Sequence, residues 1–202
     1  MVACLGSCAA GQDAATARLA PPQSPSSQAS AKAFLAAIAR HCGQSFAGEV
    51  VANHPPADSD PFEGVSLVMH VRDCSDGRLA VPFHVGADHS RTWLLTLRET
   101  GLQLKHDHRH EDGSPDAVTM YGGTSDTPGS VRRQEFPVDA ESIEMFRREG
   151  LDASVVNTWA MEIVPDDYFL YELARPTGRL FQVRFDLSQP VPTPPAAWGH
   201  VE

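Results

Sequence analysis

Three histidines at alternate positions, His106, His108 and His110, end a stretch that begins Leu102-Gln103-Leu104. Alternate side chains of an extended strand share a face. Leu102, Leu104, His106, His108 and His110 therefore lie on one side, and Gln103, Lys105, Asp107, Arg109 and Glu111 on the other. Residues two apart on a strand are separated by about 6.5 to 7 Å, so two imidazoles can bend towards one ion. His106 and His108 thus form half of a metal site, whereas His110, about 13 Å from His106 by the same rise, belongs to the rim. His84 or His89 on the preceding segment would supply a third ligand. Zinc, iron or copper held this way is catalytic when one coordination position stays open. The other chemistry is that of a pocket: a face that begins as leucine and ends as imidazole matches binding sites that are mostly apolar with a few placed polar groups. We take the pocket as the working expectation, with no cofactor, and keep a metal-dependent enzyme as the alternative. Gly-x-Ser-x-Gly, a phosphate-cradling glycine loop and His-Glu-x-x-His do not occur in the sequence.

The elements that must position these histidines read as short strands. Phe46–Ala52 has period two, Val65–Cys74 alternates Val65, Leu67, Met69 and Val71 with polar residues, and the run after the turn Ser75-Asp76-Gly77-Arg78 carries Leu79, Val81, Phe83 and Val85. Trp93, Leu95 and Leu97 lead through Thr100-Gly101 into the histidine strand. With those two residues as the turn, Leu97 faces Leu104, Leu95 faces His106 and Trp93 faces His108. Further strands are expected at 117–122, 131–136, 158–164, 168–174 and 180–187. Helices are expected at 31–42, capped by Ser30 and stopped by Gly43, and from Asp139 to Gly150, acidic early and basic late. The first has a narrow apolar stripe and should lie against the edge or mouth of something larger. Trp93, Leu95, His106, His108, Tyr121 and Tyr171 are the candidate ligand contacts.

The 202 residues suit one domain with extensions: a flexible Ala/Pro/Ser/Gln segment within 1–30, a domain over 31–188 and a proline-rich tail over 189–202. A net charge of −10 opposes a phosphate backbone, so nucleic acid is not an expected partner. No run of about 18 apolar residues suggests a spanning helix. Cys42 and Cys74 suit a disulfide formed in an oxidising compartment. Leu5-Gly6-Ser7-Cys8 resembles a bacterial lipobox with Cys8 as the lipidated residue, which implies a monomer in the periplasm or on the outer membrane, touching lipid only through its anchor.

Many short strands, tight turns and an opening helix point to an antiparallel up-and-down barrel or a sandwich. The helix running into Phe46-Ala47-Gly48-Glu49, the run His106–Gly113 continuing to Tyr121-Gly122-Gly123, and the closing Phe181-Gln-Val-Arg-Phe-Asp-Leu187 resemble the lipocalin-like, or calycin, class of small barrels, including secreted or lipid-anchored bacterial proteins. The resemblance covers residues 31 to 188 and implies a barrel enclosing a small-molecule pocket. Phe46 and Gly48 stand where lipocalins proper carry Gly-x-Trp, so no lipocalin ligand class transfers. A structural envelope lipoprotein is the remaining alternative.

Overall fold

A computed structural model of the protein describes residues 1–2, 27–56, 60–125, 127 and 129–200. Cys8 and the expected tether up to residue 26 lie outside them. One antiparallel sheet dominates. Its strands are β1 (Ser45–His54), β2 (Leu67–His70), β3 (Arg72–Ser75), β4 (Arg78–Val85), β5 (Asp88–Arg98), β6 (Gly101–His108), β7 (Tyr121–Thr124), β8 (Arg133–Pro137), β9 (Thr158–Val164), β10 (Tyr168–Ala174) and β11 (Leu180–Val191). The order β7-β6-β5-β4-β2-β1-β11-β10-β9-β8, with β3 beside β4, curls the sheet until its edge strands meet. A single bridge, Gly123 to Val138, joins β7 to the end of β8 and nearly closes an antiparallel barrel. A Cβ on Gly123 would fall 1.8 Å from the Pro137 carbonyl oxygen, so only glycine lets this seam close.

The strand alternation read from the sequence sorts the core. Val81, Phe83, Trp93, Leu95, Leu102, Leu104, Met161, Val183 and Phe185 point inward and are buried. Helix α1 (Ser27–Ala39) buries Phe34, Leu35 and Ile38 and packs against β4, β5, β6, β8 and β9, so it plugs one end of the barrel. It starts earlier than expected. Ser30 is therefore not its cap but lies within the helix, its hydroxyl buried without a partner. Beyond α1 the chain turns through Gly43, and a disulfide joins Cys42 to Cys74 of β3 with their Cα atoms 6.2 Å apart. Helix α2 (Ala140–Arg148) begins where Asp139 accepts from the Ser142 amide, as the sequence indicated.

Three expectations are corrected. The β5–β6 turn is Glu99-Thr100, not Thr100-Gly101: Arg98 pairs with Gly101, Leu95 with Leu104 and Trp93 with His106. The partners shift by two residues, so every side chain keeps its face. Gly101 opens the strand opposite Arg98, and only glycine fits there, since a Cβ would fall 2.1 Å from the Ser125 carbonyl oxygen. The strand expected at 117–122 begins only at Tyr121, because the Asp116 carboxylate takes the Val118 amide (2.7 Å) and Met120 adopts a positive φ. The segment expected at 65–74 breaks into β2 and β3 around Val71, with Asp73 at φ 49°.

The residues after β11 also reach the domain. The Trp198 amide bonds the His89 carbonyl, Ala197 is buried, and His200 Nε2 lies 3.3 Å from Asp107 Oδ2 on the outer face of β6.

Candidate functional site

Four strands change the character of their inner face in the same direction. Along β6 it runs Leu104, His106, His108; along β5, Leu95, Trp93, Arg91. Along β10 and just past its end it runs Tyr171, Leu173, Arg175, and back along β11 to just before its start, Val183, Phe181, Arg179. The ladder aligns these series, pairing Trp93 with His106, Arg91 with His108 and Leu173 with Phe181. The end away from α1 is therefore ringed first by aromatic and then by basic groups. Those groups surround a cavity of about 260 Å³. Phe146 of α2 and Leu151 after it complete one wall.

His106 sits at the floor, 3% exposed and with both ring nitrogens engaged. Nδ1 lies 3.2 Å from the Tyr121 carbonyl oxygen and Nε2 2.9 Å from the Tyr171 hydroxyl. A carbonyl can only accept, so Nδ1 carries the proton and Nε2 accepts from the Tyr171 O–H. Burial, with the charge that His108 would add, pushes the His106 pKa down to about 3 and keeps the ring neutral. The Tyr121 ring stacks on it, centroids 4.6 Å apart and 12° from parallel.

Tyr121 braces both histidines. Its carbonyl holds His106, and its hydroxyl lies 3.0 Å from His108 Nε2. The His108 backbone amide is fixed in turn by Thr119 Oγ1 at 2.8 Å. Burial and the nearby Arg91 charge lower the His108 pKa to about 4. Burial also raises the Tyr121 and Tyr171 phenols far above the ordinary tyrosine range, so both stay protonated. The result is a neutral, hydrogen-bonded aromatic floor in which the imidazoles serve as polar contacts and not as charges.

Of the sequence candidates, Trp93, His106, His108, Tyr121 and Tyr171 come together in this cavity. Leu95 does not line it; fully buried, it lies one step deeper in the core. His84 and His89 are elsewhere. His84 alternates with the inward-facing Phe83 and Val85, so it projects from the opposite face of β4. There it meets His89 edge to face at 4.6 Å, with Trp198 stacked beyond. Both His84 ring nitrogens are buried without a hydrogen-bond partner among the described residues, and burial together with the His89 and His70 charges lowers its pKa to about 4. The sheet separates the two histidine pairs. Among the described residues no three His, Cys, Asp or Glu side chains are grouped to hold a metal ion. His110 is exposed.

The residues that the sequence reading missed are Arg91, Arg175 and Arg179, together with the Asn157 and Ser154 groups beside them. A signal for the arginines existed. Each is the next same-face residue beyond an apolar one, Trp93, Leu173 or Phe181, but a charged residue at a strand end is ordinarily solvated.

No protein-family model, no curated protein and no solved structure matches the chain.

Proposed function

We propose that this protein is a non-enzymatic, extracytoplasmic barrel of lipocalin-like type that binds a small molecule in the cavity at its open end. The observation that carries the reading is that cavity, about 260 Å³ in volume, walled by aromatic rings and floored by the His106–Tyr171 and His108–Tyr121 pairs. Such an apolar enclosure with a few fixed polar groups is what small-molecule recognition requires. The floor's hydrogen bonds are satisfied within the protein, which suits retention of a ligand more than turnover. The Cys42–Cys74 disulfide supports an oxidising compartment, and Cys8 would anchor the chain there as a monomer.

The neutral two-ring probe 6-propionyl-2-(dimethylamino)naphthalene, which brightens on leaving water, tests the reading. Wild-type protein should give saturable fluorescence enhancement. Val118→Trp, which adds bulk at a half-buried position on the cavity wall, should abolish it. Absence of saturable enhancement with the wild type, or identical titrations for the two proteins, would contradict the proposal.

A further inference from the structure

We infer that the cavity selects organic anions with a flat, two-ring apolar body, the anionic group meeting Arg175 and Arg179; this rests on the ligand-binding reading above. The chain has 26 acidic residues against 16 lysines and arginines, yet among the described residues lining the cavity three are arginines and none is Asp or Glu. Arg91 is neutralised, its Nη1 being 2.5 Å from Asp88 Oδ2. The other two have no carboxylate partner among the described residues. Arg175 donates from Nε to Asn157 Oδ1 (2.6 Å) and from Nη2 to Ser154 Oγ (3.3 Å). Arg179 donates from Nη1 to Asn53 Oδ1 (2.5 Å) and to the carbonyls of His54 and Pro55 (3.3 and 3.1 Å). Every one of these acceptors is neutral. They hold the guanidinium groups in place without cancelling their charge, and a guanidinium has five N–H donors to place.

The backbone makes the arrangement costly for folding. Arg175 and Arg179 flank the turn Pro176-Thr177-Gly178 and are joined by the bond from the Arg175 amide to the Arg179 carbonyl, 2.9 Å. Like charges facing each other across a hairpin destabilise it. The Arg175 pKa is correspondingly lowered, by burial first and by the Arg179 charge second. A bound carboxylate or sulfonate supplies a counter-charge that no described residue provides, and paired guanidinium groups suit its planar or forked oxygens. The body of the ligand follows from the enclosure. An apolar cavity of about 150 Å³ accommodates benzene, so about 260 Å³ bounded by Trp93, Tyr121, Trp159 and Phe181 suits two fused rings.

Isothermal titration with 2-naphthoate and 2-naphthamide, which match in shape and differ in charge, separates the possibilities. Wild-type protein should bind the naphthoate at least roughly tenfold tighter, the scale of a charge-assisted hydrogen bond. The double variant Arg175→Gln, Arg179→Gln should lose that preference while binding naphthamide as before, which also shows that the cavity is intact. Equal wild-type affinities, or a preference that survives both substitutions, overturn the anion inference and leave the binding barrel standing. Failure of both compounds to bind wild-type protein removes the ligand-binding reading and this inference with it. Should the double variant lose both ligands, wild-type protein in 0.5 M salt decides. Weakening confined to naphthoate supports recognition of charge, and an equal salt response for the two compounds overturns it.

Discussion

The two ends of the barrel solve the same problem in opposite ways. At one end α1 lowers Phe34, Leu35 and Ile38 onto the strands, and the Cys42–Cys74 bridge fixes the turn that follows. At the other, the strands run past the core into aromatic and then basic residues, α2 adds Phe146 to one wall without filling the opening, and a cavity remains. Filling an end with apolar side chains gains stability from burial. Leaving it open, with two arginines facing each other and two histidines of lowered pKa at the cavity floor, costs some of it. A barrel could be plugged twice. One that is plugged once and lined with fixed polar groups at the other end carries the marks of a site.

The sharpest way to separate the ends is to damage the plug. Phe34 is fully buried, and Phe34→Ala should cost about 3 to 5 kcal/mol, since a large cavity opens where the surrounding strands cannot collapse. Denaturant titration measures that loss. If the ends act independently, probe affinity in the folded fraction at the open end should stay at the wild-type value. A loss near 1 kcal/mol would mean that α1 is a peripheral cover, and a large fall in probe affinity would mean that the plug shapes the site.

Much of this contrast could be read from residue order, and what could not has physical causes. β9 and β10 occur at the residues expected from alternation, because Pro165-Asp166-Asp167 and Pro176-Thr177-Gly178 punctuate them unambiguously. The inward face of β6 was legible because a period of two survives any register error of two residues, and just such an error occurred at Gly101. β11 runs beyond Leu187 to Val191 because Phe46 pairs with Pro190 beyond an irregularity in β11, where five residues of β11 oppose two of β1, a long-range partnership that overrides the local signal of a proline. The basic ring was missed for a related reason. No single strand announces it, and only the ladder places Arg91, Arg175 and Arg179 around one opening.

The hydrogen bonds of the open end should carry a smaller but diagnostic share of the stability. Tyr171→Phe keeps the ring and removes the donor to His106 Nε2, leaving a buried acceptor unsatisfied at a cost of about 1 to 3 kcal/mol. Acid should act there and at His84 on the outer face of β4. His84, His106 and His108 have folded pKa values lowered to about 4, 3 and 4 from 6.5, so below pH 6.5 the unfolded chain binds more protons than the folded one. Their contribution is complete above pH 6.5 and is lost progressively as the pH falls towards those values. The buried His84 and His106 should dominate, and half-buried His108, being partly screened, should add less. Between pH 7 and 5, stability measured by denaturant should fall as the pH drops. His106→Phe should shallow that dependence by up to about 1.4 kcal/mol per pH unit, the equivalent of one proton. An unchanged slope would mean that His106 is not held neutral by its surroundings.

The smallest expected effect concerns the wall of the cavity. α2 is held over the barrel seam by Asp139, whose carboxylate accepts from the Ser142 amide at 2.9 Å and lies 2.9 Å from Lys105 Nζ; Ser142 Oγ in turn accepts from the Gly122 amide at 2.8 Å. Asp139→Ala removes the cap and one of the two carboxylates at Lys105, while Glu141 remains 3.0 Å from the ammonium. The cost should therefore be about 1 kcal/mol. Its location is more informative than its size. Because Phe146 of α2 lines the cavity, hydrogen exchange should quicken in Ala140–Arg148, and probe affinity should weaken slightly with it. Exchange at the amides of α1 should stay unchanged. If α1 loosens equally, the two ends are one cooperative unit, and the division of labour between a plug that stabilises and an opening that binds does not hold.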